Sequence, residues 1–331
     1  MTVRKSLLVL LSMLMAVALL FTVGCGGGAE EPAAPAEEPA AEEPAAEAPA
    51  FDEGAAIIKV TDDWWSSELS KVWIINAVDL NEQLFVNKDE AMQVLDIREP
   101  ADFAKGHIEG ALNIPFSSFA DEATLAQLDD TKTFIVADAD GQNAPAIYLY
   151  LTQLGYDAML LRFGMSGWTT DEALGTVWDG VGIDAPTTTA PTLAQGSFEI
   201  PSPSTGATNE REALVNGIKN YFANGGADLM TAAELKAMLD SGADDFQVVS
   251  VRAPEHYEIG HLDGAINIPM AQMAKAESLS KLDPSKKVVV YCYQGHASAQ
   301  VQLLLSQLGY DVVGLQYGMS AWTNDADVRA S

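Results

Sequence analysis

Basic residues are scarce in this chain of 331 residues, which carries 18 lysines and arginines against 47 aspartates and glutamates. The formal net charge is −29 at pH 7. Nucleic-acid binding needs a basic surface, and attraction to anionic lipid headgroups needs clustered lysine or arginine. The composition therefore argues against both as direct partners, and we expect no nucleic-acid partner.

Cysteine is equally rare, and its two occurrences are Cys25 and Cys292. A bond between them would join an N-terminal signal region to the distal end of the chain, so we predict no disulfide framework. The four histidines and the distal thiol show no metal-ligand spacing. We therefore expect no metal and no cofactor.

The N-terminus has the layout of a secretory signal. A basic pair, RK, precedes an apolar run over residues 6–23, and Gly24-Cys25 follows. This arrangement resembles the bacterial lipoprotein box, in which that cysteine is lipidated, although Thr22 stands where leucine is usual. The alternative is a plain transmembrane anchor, because the apolar run is close to spanning length. We predict a signal peptide over residues 1–24, lipidation of Cys25, and an extracytoplasmic, lipid-anchored location in the cell envelope.

Residues 26–50, GGGAEEPAAPAEEPAAEEPAAEAPA, are of low complexity. Proline and like-charged glutamate prevent such a segment from packing a core. We predict a disordered tether over residues 25–55 that holds the folded part away from the membrane.

The rest of the chain contains two copies of one unit. VLDIREPADFAKGHIEGALNIP, from Val94, matches VVSVRAPEHYEIGHLDGAINIP, from Val248. LTQLGYDAMLLRFGMSGW, from Leu151, matches LSQLGYDVVGLQYGMSAW, from Leu305. Both pairs are offset by 154 residues, and two copies indicate tandem domains rather than a solenoid. The predicted boundaries are 56–180 for the first domain, 181–209 for the linker and 210–331 for the second domain.

Short apolar strands alternate with helices in each copy. Such alternation indicates a parallel sheet covered on both faces, which binds ligands at the carboxyl ends of its strands. Cys292 lies at such an end. The elements predicted in the second copy are helices over residues 231–240 and 298–308 and strands over residues 246–251, 265–268, 287–291 and 311–315.

The segment CYQGHAS, from Cys292 to Ser298, runs from a predicted strand into a predicted helix. Successive backbone N–H groups in such a turn can form a nest for an anion, and the helix N-terminus adds partial positive charge. Both effects favour a thiolate, which can attack a sulfane sulfur and become an anionic persulfide. Gly295 lets the backbone turn tightly around the sulfur.

Three motifs together are similar to those of rhodanese (sulfurtransferase) domains: R-x-P…GH-x-x-GA-x-NIP, the V-V-Y-C-x-x-G loop, and LGY-D-V…GM-x-x-W. The resemblance covers nearly all of the chain from Trp65 to Trp322, apart from the linker. It implies an α/β fold of two tandem domains, each with a parallel sheet of about five strands. It also implies that sulfane sulfur, from thiosulfate or polysulfide, passes through a persulfide to a thiophilic acceptor. The implied nucleophile is Cys292, and the implied cradling loop consists of Tyr293, Gln294, Gly295, His296, Ala297 and Ser298.

Position 138, the counterpart of Cys292, is an aspartate. A carboxylate cannot form a persulfide, so the first domain is predicted to be catalytically silent. Many members of the family have arginine where this loop has Ala297. Anion stabilisation is then expected from backbone amides, and from His296 if that side chain lies at the thiolate rather than in solvent.

The block before the Gly-His turn also differs between the copies. The first copy has Asp96 and Arg98, whereas the second has Ser250 and Arg252. Arg252 therefore lacks the nearby acidic partner, which places the usual ion-pair support of the second domain in doubt. His107 and His261 stand at equivalent positions in the turns of both copies, which favours a structural role in which each side chain bonds the backbone of its turn.

The leading functional prediction is an enzyme that delivers sulfur from small anions to cyanide, a thiol or a protein acceptor of the envelope. A second hypothesis is a persulfide carrier, sensor or binding module, with the silent copy as its docking surface. A third is a phosphatase, because related folds use a cysteine in a longer loop with an arginine. The short loop without arginine disfavours it, since a phosphate dianion would be poorly held.

Overall fold

The computed structural model describes residues 51–71, 73–175, 178, 180–226 and 228–329. The predicted signal peptide, Cys25 and most of the predicted tether lie outside these residues. Within the described part of the chain, no helix has the length and apolar character needed to span a membrane.

Each copy forms a separate sheet of five parallel strands. The strands are β1 (Ile74–Ile75), β2 (Met92–Asp96), β3 (Leu112–Asn113), β4 (Thr133–Ala137) and β5 (Asp157–Leu161) in the first sheet, and β6 (Leu229–Met230), β7 (Phe246–Ser250), β8 (Ile266–Asn267), β9 (Lys287–Tyr291) and β10 (Val312–Leu315) in the second. The spatial orders are β1-β5-β4-β2-β3 and β6-β10-β9-β7-β8, so the second sheet repeats the first. The predicted fold class is confirmed.

Helices connect the strands and cover both faces of the sheets. The α-helices are α1 (Glu53–Trp65), α2 (Ala77–Asn81), α3 (Pro100–Phe103), α4 (Glu122–Leu125), α5 (Ala144–Gln153), α6 (Gly164–Trp168), α7 (Glu210–Ala223), α8 (Ala232–Ser241), α9 (Pro254–Ile259), α10 (Met270–Met273), α11 (Ala276–Leu279), α12 (His296–Leu308), α13 (Gly318–Trp322) and α14 (Ala326–Arg329). Short 3₁₀ turns cover Glu68–Lys71 and Phe116–Ala120, and a π-helical turn covers Glu82–Val86.

The elements around Cys292 follow from local sequence. The apolar run of β9 is buried from Val288 onward, as expected for a central parallel strand. The helix α12 lies between two glycines in the left-handed region, Gly295 and Gly309, both with φ of 99°. It begins two residues before the predicted start at 298, because Gly295 is its N-cap and leaves His296 already helical.

Helices from both copies form the interface between them. The helix α5 of the first copy packs against α12 of the second, and α1 also contacts α12 and α10. Likewise, α7 of the second copy contacts α5 and the Phe116–Ala120 turn of the first copy. One hydrophobic cluster includes buried residues of α1, α5, α7 and α12. The contacts are thus related by approximate two-fold symmetry, and the two copies share a core.

The predicted tether extends too far into the folded part. The helix α1 begins at Glu53, whose buried carboxylate accepts hydrogen bonds from the backbone N–H groups of Thr205, Gly206 and Ala207 at 2.8, 2.9 and 3.1 Å. This carboxylate joins the first helix to the chain that enters the second copy. Order therefore begins before residue 55.

The segment predicted as a linker lies against the second copy. The N–H of Ala185 donates to Trp322 O at 2.8 Å, and Thr188 pairs with His261 as an antiparallel bridge. Further along, the N–H of Phe198 donates to Ser280 O at 2.7 Å. This proline- and threonine-rich segment is therefore held against the second copy by backbone hydrogen bonds.

Candidate active site

Cys292 is the first residue after β9 and is 2% exposed. The N–H of Gly295 lies 3.1 Å from its Sγ, and the hydroxyl of Ser298 lies 3.5 Å from it. The N–H groups of Ala297 and Ser298 belong to the first turn of α12, where a helix has no acceptors of its own. The sulfur thus lies beside a set of donors that can hold a negative charge.

The GM-x-x-W ending forms the second wall of the site. The N–H of Met319 donates to Cys292 O at 2.9 Å, and the N–H of Ser320 donates to Tyr293 O at 3.0 Å. Gly318 has a φ of 51°, and a Cβ there would lie 2.4 Å from Cys292 O. Glycine is therefore required at 318, and the motif holds the start of the loop in place.

The counterpart loop of the first copy holds an anionic side chain in the same kind of nest. Asp138 accepts hydrogen bonds from the N–H groups of Gly141 at 2.5 Å, Asn143 at 2.7 Å and Ala144 at 2.9 Å. Burial and the nearby charge of Asp140 raise the pKa of Asp138 to about 6, although the three N–H donors act in the opposite direction. The silent loop therefore directs three N–H groups at the side chain of its first residue.

The two loops face each other across the interface. The amide of Gln142, in the silent loop, donates to Gln294 O at 3.0 Å and accepts from the N–H of Tyr317 at 2.9 Å. A Cβ on Gly295 would lie 2.2 Å from Gln142 Oε1. Gln142 thus lies over the active loop, a role that sequence reasoning missed because no motif reports how the two copies pack.

His296 is buried between the two loops, and its Nε2 has no hydrogen-bond partner within the described structure. Its ring centroid lies 5.1 Å from that of Phe163. Burial, together with the charge of Arg162, lowers the pKa of His296 to about 3. The side chain is therefore neutral near pH 7 and supplies no cation, and the alternative that it faces solvent is wrong.

Other loop side chains point away from the sulfur. The hydroxyl of Tyr293 accepts from the N–H of Ala253 at 3.2 Å and lies 2.5 Å from His256 Nδ1. Gln294 Oε1 accepts from the guanidinium of Arg162 at 3.3 Å. These side chains fix the loop against its surroundings. The side chain of Ala297 packs against the shared core.

The histidines of the Gly-His turns bond to backbone, as the sequence predicts. His107 Nδ1 lies 2.9 Å from Phe103 O, and His261 Nδ1 lies 2.8 Å from Tyr257 O. His261 Nε2 also lies 3.0 Å from Ala190 O, so this ring holds the docked segment as well as its own turn.

The cysteine lies on the loop between the central strand and the next helix of a parallel α/β sheet, at the carboxyl edge where such sheets bind ligands. The model of the rhodanese-like domain matches residues 78–171 and 231–325. The chain belongs to the rhodanese-like domain family, and it contains two such domains.

Individual relatives share parts of the chain. It is 37% identical over 94 residues to a probable adenylyltransferase/sulfurtransferase, MoeZ, of Mycobacterium tuberculosis, covering 28% of this chain and 24% of that protein. It is 39% identical over 62 residues to the thiosulfate sulfurtransferase PspE of Escherichia coli, covering 19% of this chain and 60% of that protein. The chain thus spans about a quarter of the first relative and 60% of the second.

Among solved structures, a thiosulfate sulfurtransferase from Pseudomonas aeruginosa matches with 18% identity and a TM-score of 0.30. The match covers 81% of this chain and 48% of that one.

Proposed function

We propose that the chain is an extracytoplasmic sulfurtransferase that moves sulfane sulfur through a persulfide on Cys292. The observation that carries the proposal is the pair of equivalent loops. In the silent copy, the nest binds the carboxylate of Asp138, whereas the second copy presents a thiol to the corresponding donors. A site that holds a carboxylate by three N–H groups is suited to a thiolate and to the terminal sulfur of a persulfide.

The reaction with thiosulfate has two steps. The Cys292 thiolate attacks the outer sulfur of thiosulfate, the sulfur–sulfur bond of the donor breaks, and sulfite leaves with the electron pair. An acceptor such as cyanide then attacks the terminal sulfur of the persulfide, and the bond to Cys292 Sγ breaks with return of the thiolate. No oxidant or reductant is consumed, which agrees with a site that needs only anion stabilisation.

The donors can be assigned by analogy between the copies. In the silent loop, Asp138 Oδ1 accepts from the N–H of Gly141, while Oδ2 accepts from the N–H groups of Asn143 and Ala144. By the same division, the N–H of Gly295 holds Cys292 Sγ and the N–H groups of Ala297 and Ser298 hold the terminal sulfur. The Ser298 hydroxyl is a further donor at this point.

A persulfide carrier is the second candidate. Cys292 is 2% exposed and lies under the silent loop, which favours small reactants over bulky ones unless the loop moves. A protein partner that shifts Gln142 would then gain the persulfide. Slow release of sulfur to cyanide with rapid transfer to an envelope protein would favour the carrier over the enzyme.

The location remains part of the proposal. The lipoprotein-type start and the acidic tether support a lipid anchor at Cys25 and a folded part in the cell envelope. Labelling of cells with a radioactive fatty acid tests this, since Cys25→Ser should abolish incorporation of the label. Label retained in that variant would contradict the anchor.

The function is tested by intact mass of the chain from residue 49 onward, which forms a compact unit containing both sheets. Incubation with thiosulfate should add the mass of one sulfur atom, and cyanide should remove it. Cys292→Ser should gain nothing. A gain of sulfur by that variant would refute the assignment of the nucleophile, and no gain by wild type from thiosulfate or polysulfide would refute the sulfurtransferase.

A further inference from the structure

The first copy neutralises a buried arginine with a buried carboxylate. Arg98 Nη2 lies 2.6 Å from Asp96 Oδ2, and Arg98 Nε lies 3.0 Å from Asp96 Oδ1, with both side chains 5% exposed or less. The remaining donors of Arg98 bond to Gly106 O and Leu174 O. Arg98 thus connects Leu174, near the end of the first domain, to Asp96 at the end of β2, and its positive charge is paired with that carboxylate.

The second copy keeps the arginine and lacks the carboxylate. Arg252 is fully buried, and its terminal N–H groups bond to Gly260 O at 2.9 Å, His256 O at 2.6 Å and Val328 O at 2.8 Å. Its Nε, whose counterpart bonds to Asp96, has no hydrogen-bond partner in the described part of the chain. Ser250 stands in the place of Asp96, and no ion pair among the described residues includes Arg252.

A buried cation without an anion is unfavourable, so a nearby group that can become negative is favoured in its anionic form. The tyrosines beside Arg252 do not meet this need. Burial raises the pKa of Tyr291 to about 12 and also raises that of Tyr293, so both are neutral near pH 7. Two other ionisable groups lie nearby: the carboxylate of Glu255, whose charge acts on Tyr293, and the thiol of Cys292, which acts on Arg252 itself.

The strand arrangement brings the arginine and the thiol to the same edge of the sheet. Ser250 of β7 pairs in register with Tyr291 of β9, and the N–H of Val251 donates to Tyr291 O at 2.9 Å. Arg252 and Cys292 therefore follow the carboxyl ends of two neighbouring strands, β7 and β9. The Arg252 guanidinium lies over the ring of Tyr293, 5.2 Å from the ring centroid.

Electrostatics between the two groups point the same way. Burial lowers the pKa of Arg252, whereas Tyr291, Tyr293 and Cys292 raise it.

We infer that Arg252 provides the counter-charge of the Cys292 thiolate and, resting on the proposed function, of its persulfide. It is a positioning residue, since it acts from behind Tyr293 and not by contact with the sulfur. It takes over the task of the arginine that many family members have where this loop has Ala297. Ser250 stands where the silent copy has Asp96. No carboxylate at this position therefore neutralises Arg252, and its positive charge can stabilise the thiolate.

Other charged and titratable groups also surround the loop. They are Tyr293 and His296 of the loop itself, His256 of α9, Tyr317 after β10, and Asp138, Asp140 and Arg162 of the first copy. A test must therefore change the pairing of Arg252 and leave these groups in place.

The substitution Ser250→Asp does so, because it restores the carboxylate that the first copy uses. Ser250→Asn is the matched control, with the same shape and no charge. In the chain from residue 49 onward, Cys292 is the only cysteine, so the rate of alkylation by iodoacetamide reports its thiolate fraction. At neutral pH we expect Ser250→Asp to react about tenfold more slowly than Ser250→Asn, and the pH midpoint of alkylation to move up by about one unit.

A purely structural arginine would give the opposite pattern. An unchanged rate and pH midpoint in Ser250→Asp relative to Ser250→Asn would overturn the inference. Because a new carboxylate also repels the thiolate directly, a slower rate is assigned to Arg252 only with a second pair of variants, each checked for folding by circular dichroism. Arg252→Met, which removes the charge, should react about tenfold more slowly than Arg252→Lys, which keeps it, and equal rates for this pair would also overturn the inference. Asp96→Ser in the first copy should leave alkylation unchanged, and a slower rate there would also contradict it. Because alkylation needs no sulfur donor, failure of wild type to form a persulfide would count against the proposed function and not against this role of Arg252.

Discussion

Gln153 and Gln307 exchange a reciprocal pair of hydrogen bonds across the interface between the two copies. Gln153 Nε2 donates to Gln307 Oε1 at 2.9 Å, and Gln307 Nε2 donates to Gln153 Oε1 at 3.0 Å. The two residues are counterparts, since they are 154 positions apart, the offset of the repeat. The approximate two-fold axis therefore passes between them, at the ends of the helices that follow the two facing loops.

Replacing one of these glutamines should destabilise the protein more than replacing both. Gln307→Leu leaves the buried amide of Gln153 short of a partner, which should reduce the free energy of unfolding by about 1–3 kcal/mol. In the double variant with Gln153→Leu, two apolar side chains meet and most of the loss should be recovered. Urea unfolding of the wild type, both single variants and the double variant measures this cycle. Additive losses would show that the pair does not act as a unit.

Gln142 should matter for the reactivity of a thiol in the other domain. Its amide bridges Gln294 O and the N–H of Tyr317, so Gln142→Ala removes both bonds and loosens the loop that carries the donors to Cys292. We expect sulfur transfer to fall about tenfold or more, since small displacements of catalytic groups have effects of this size. Gln127→Ala, at an exposed glutamine, is the control. Equal rates for the two variants would contradict the role of Gln142.

Alanine substitutions at the equivalent glycines Gly164 and Gly318 should differ in their effect on the reactivity of Cys292. A Cβ on Gly318 would lie 2.4 Å from Cys292 O, and a Cβ on Gly164 would lie 2.4 Å from Asp138 O, with positive φ at both. Alanine at either position should reduce stability by about 1–3 kcal/mol because of the strained backbone. Only Gly318→Ala should also slow the alkylation of Cys292, measured with iodoacetamide after the folded fraction has been established by circular dichroism. Equal slowing by Gly164→Ala would refute this.

Asp138 should make the protein more stable in mild acid than at neutral pH. Burial and the charge of Asp140 raise the pKa of Asp138 to about 6 from 3.8 in the unfolded chain, so the folded state binds this proton more tightly. The stabilising contribution is complete below pH 3.8 and is lost as the pH rises through 6. It amounts to about 3 kcal/mol.

The comparison with Asp138→Asn isolates this group from the many other carboxylates. The free energies of unfolding of wild type and variant are measured in urea from pH 4 to pH 7. The wild type should lose stability relative to the variant as the pH rises. A constant difference across that range would show that Asp138 does not titrate there.

The sequence alone determined the repeat, the α/β class and the position of Cys292 between a strand and a helix. These follow from local chemistry: the run of valines predicts a buried strand, and its bounds at 287–291 match β9. A glycine after the cysteine predicts the turn into a helix. The hydrogen bonds of His107 and His261 to backbone carbonyls were also predicted, because the Gly-His turn occurs in the silent copy as well as in the other.

Only the tertiary structure decided what surrounds the thiol. Residues that meet at the interface lie far apart in the chain, as Gln142 and Gln294 do, which are 152 positions apart. The sequence pattern of α12 does not show that its polar side chains are buried, so the environment of His296 was left open. The groups that surround Cys292 are set by the packing of α5 against α12 and by the pairing of β7 with β9. Burial and electrostatic interaction depend on packed neighbours and not on positions along the chain.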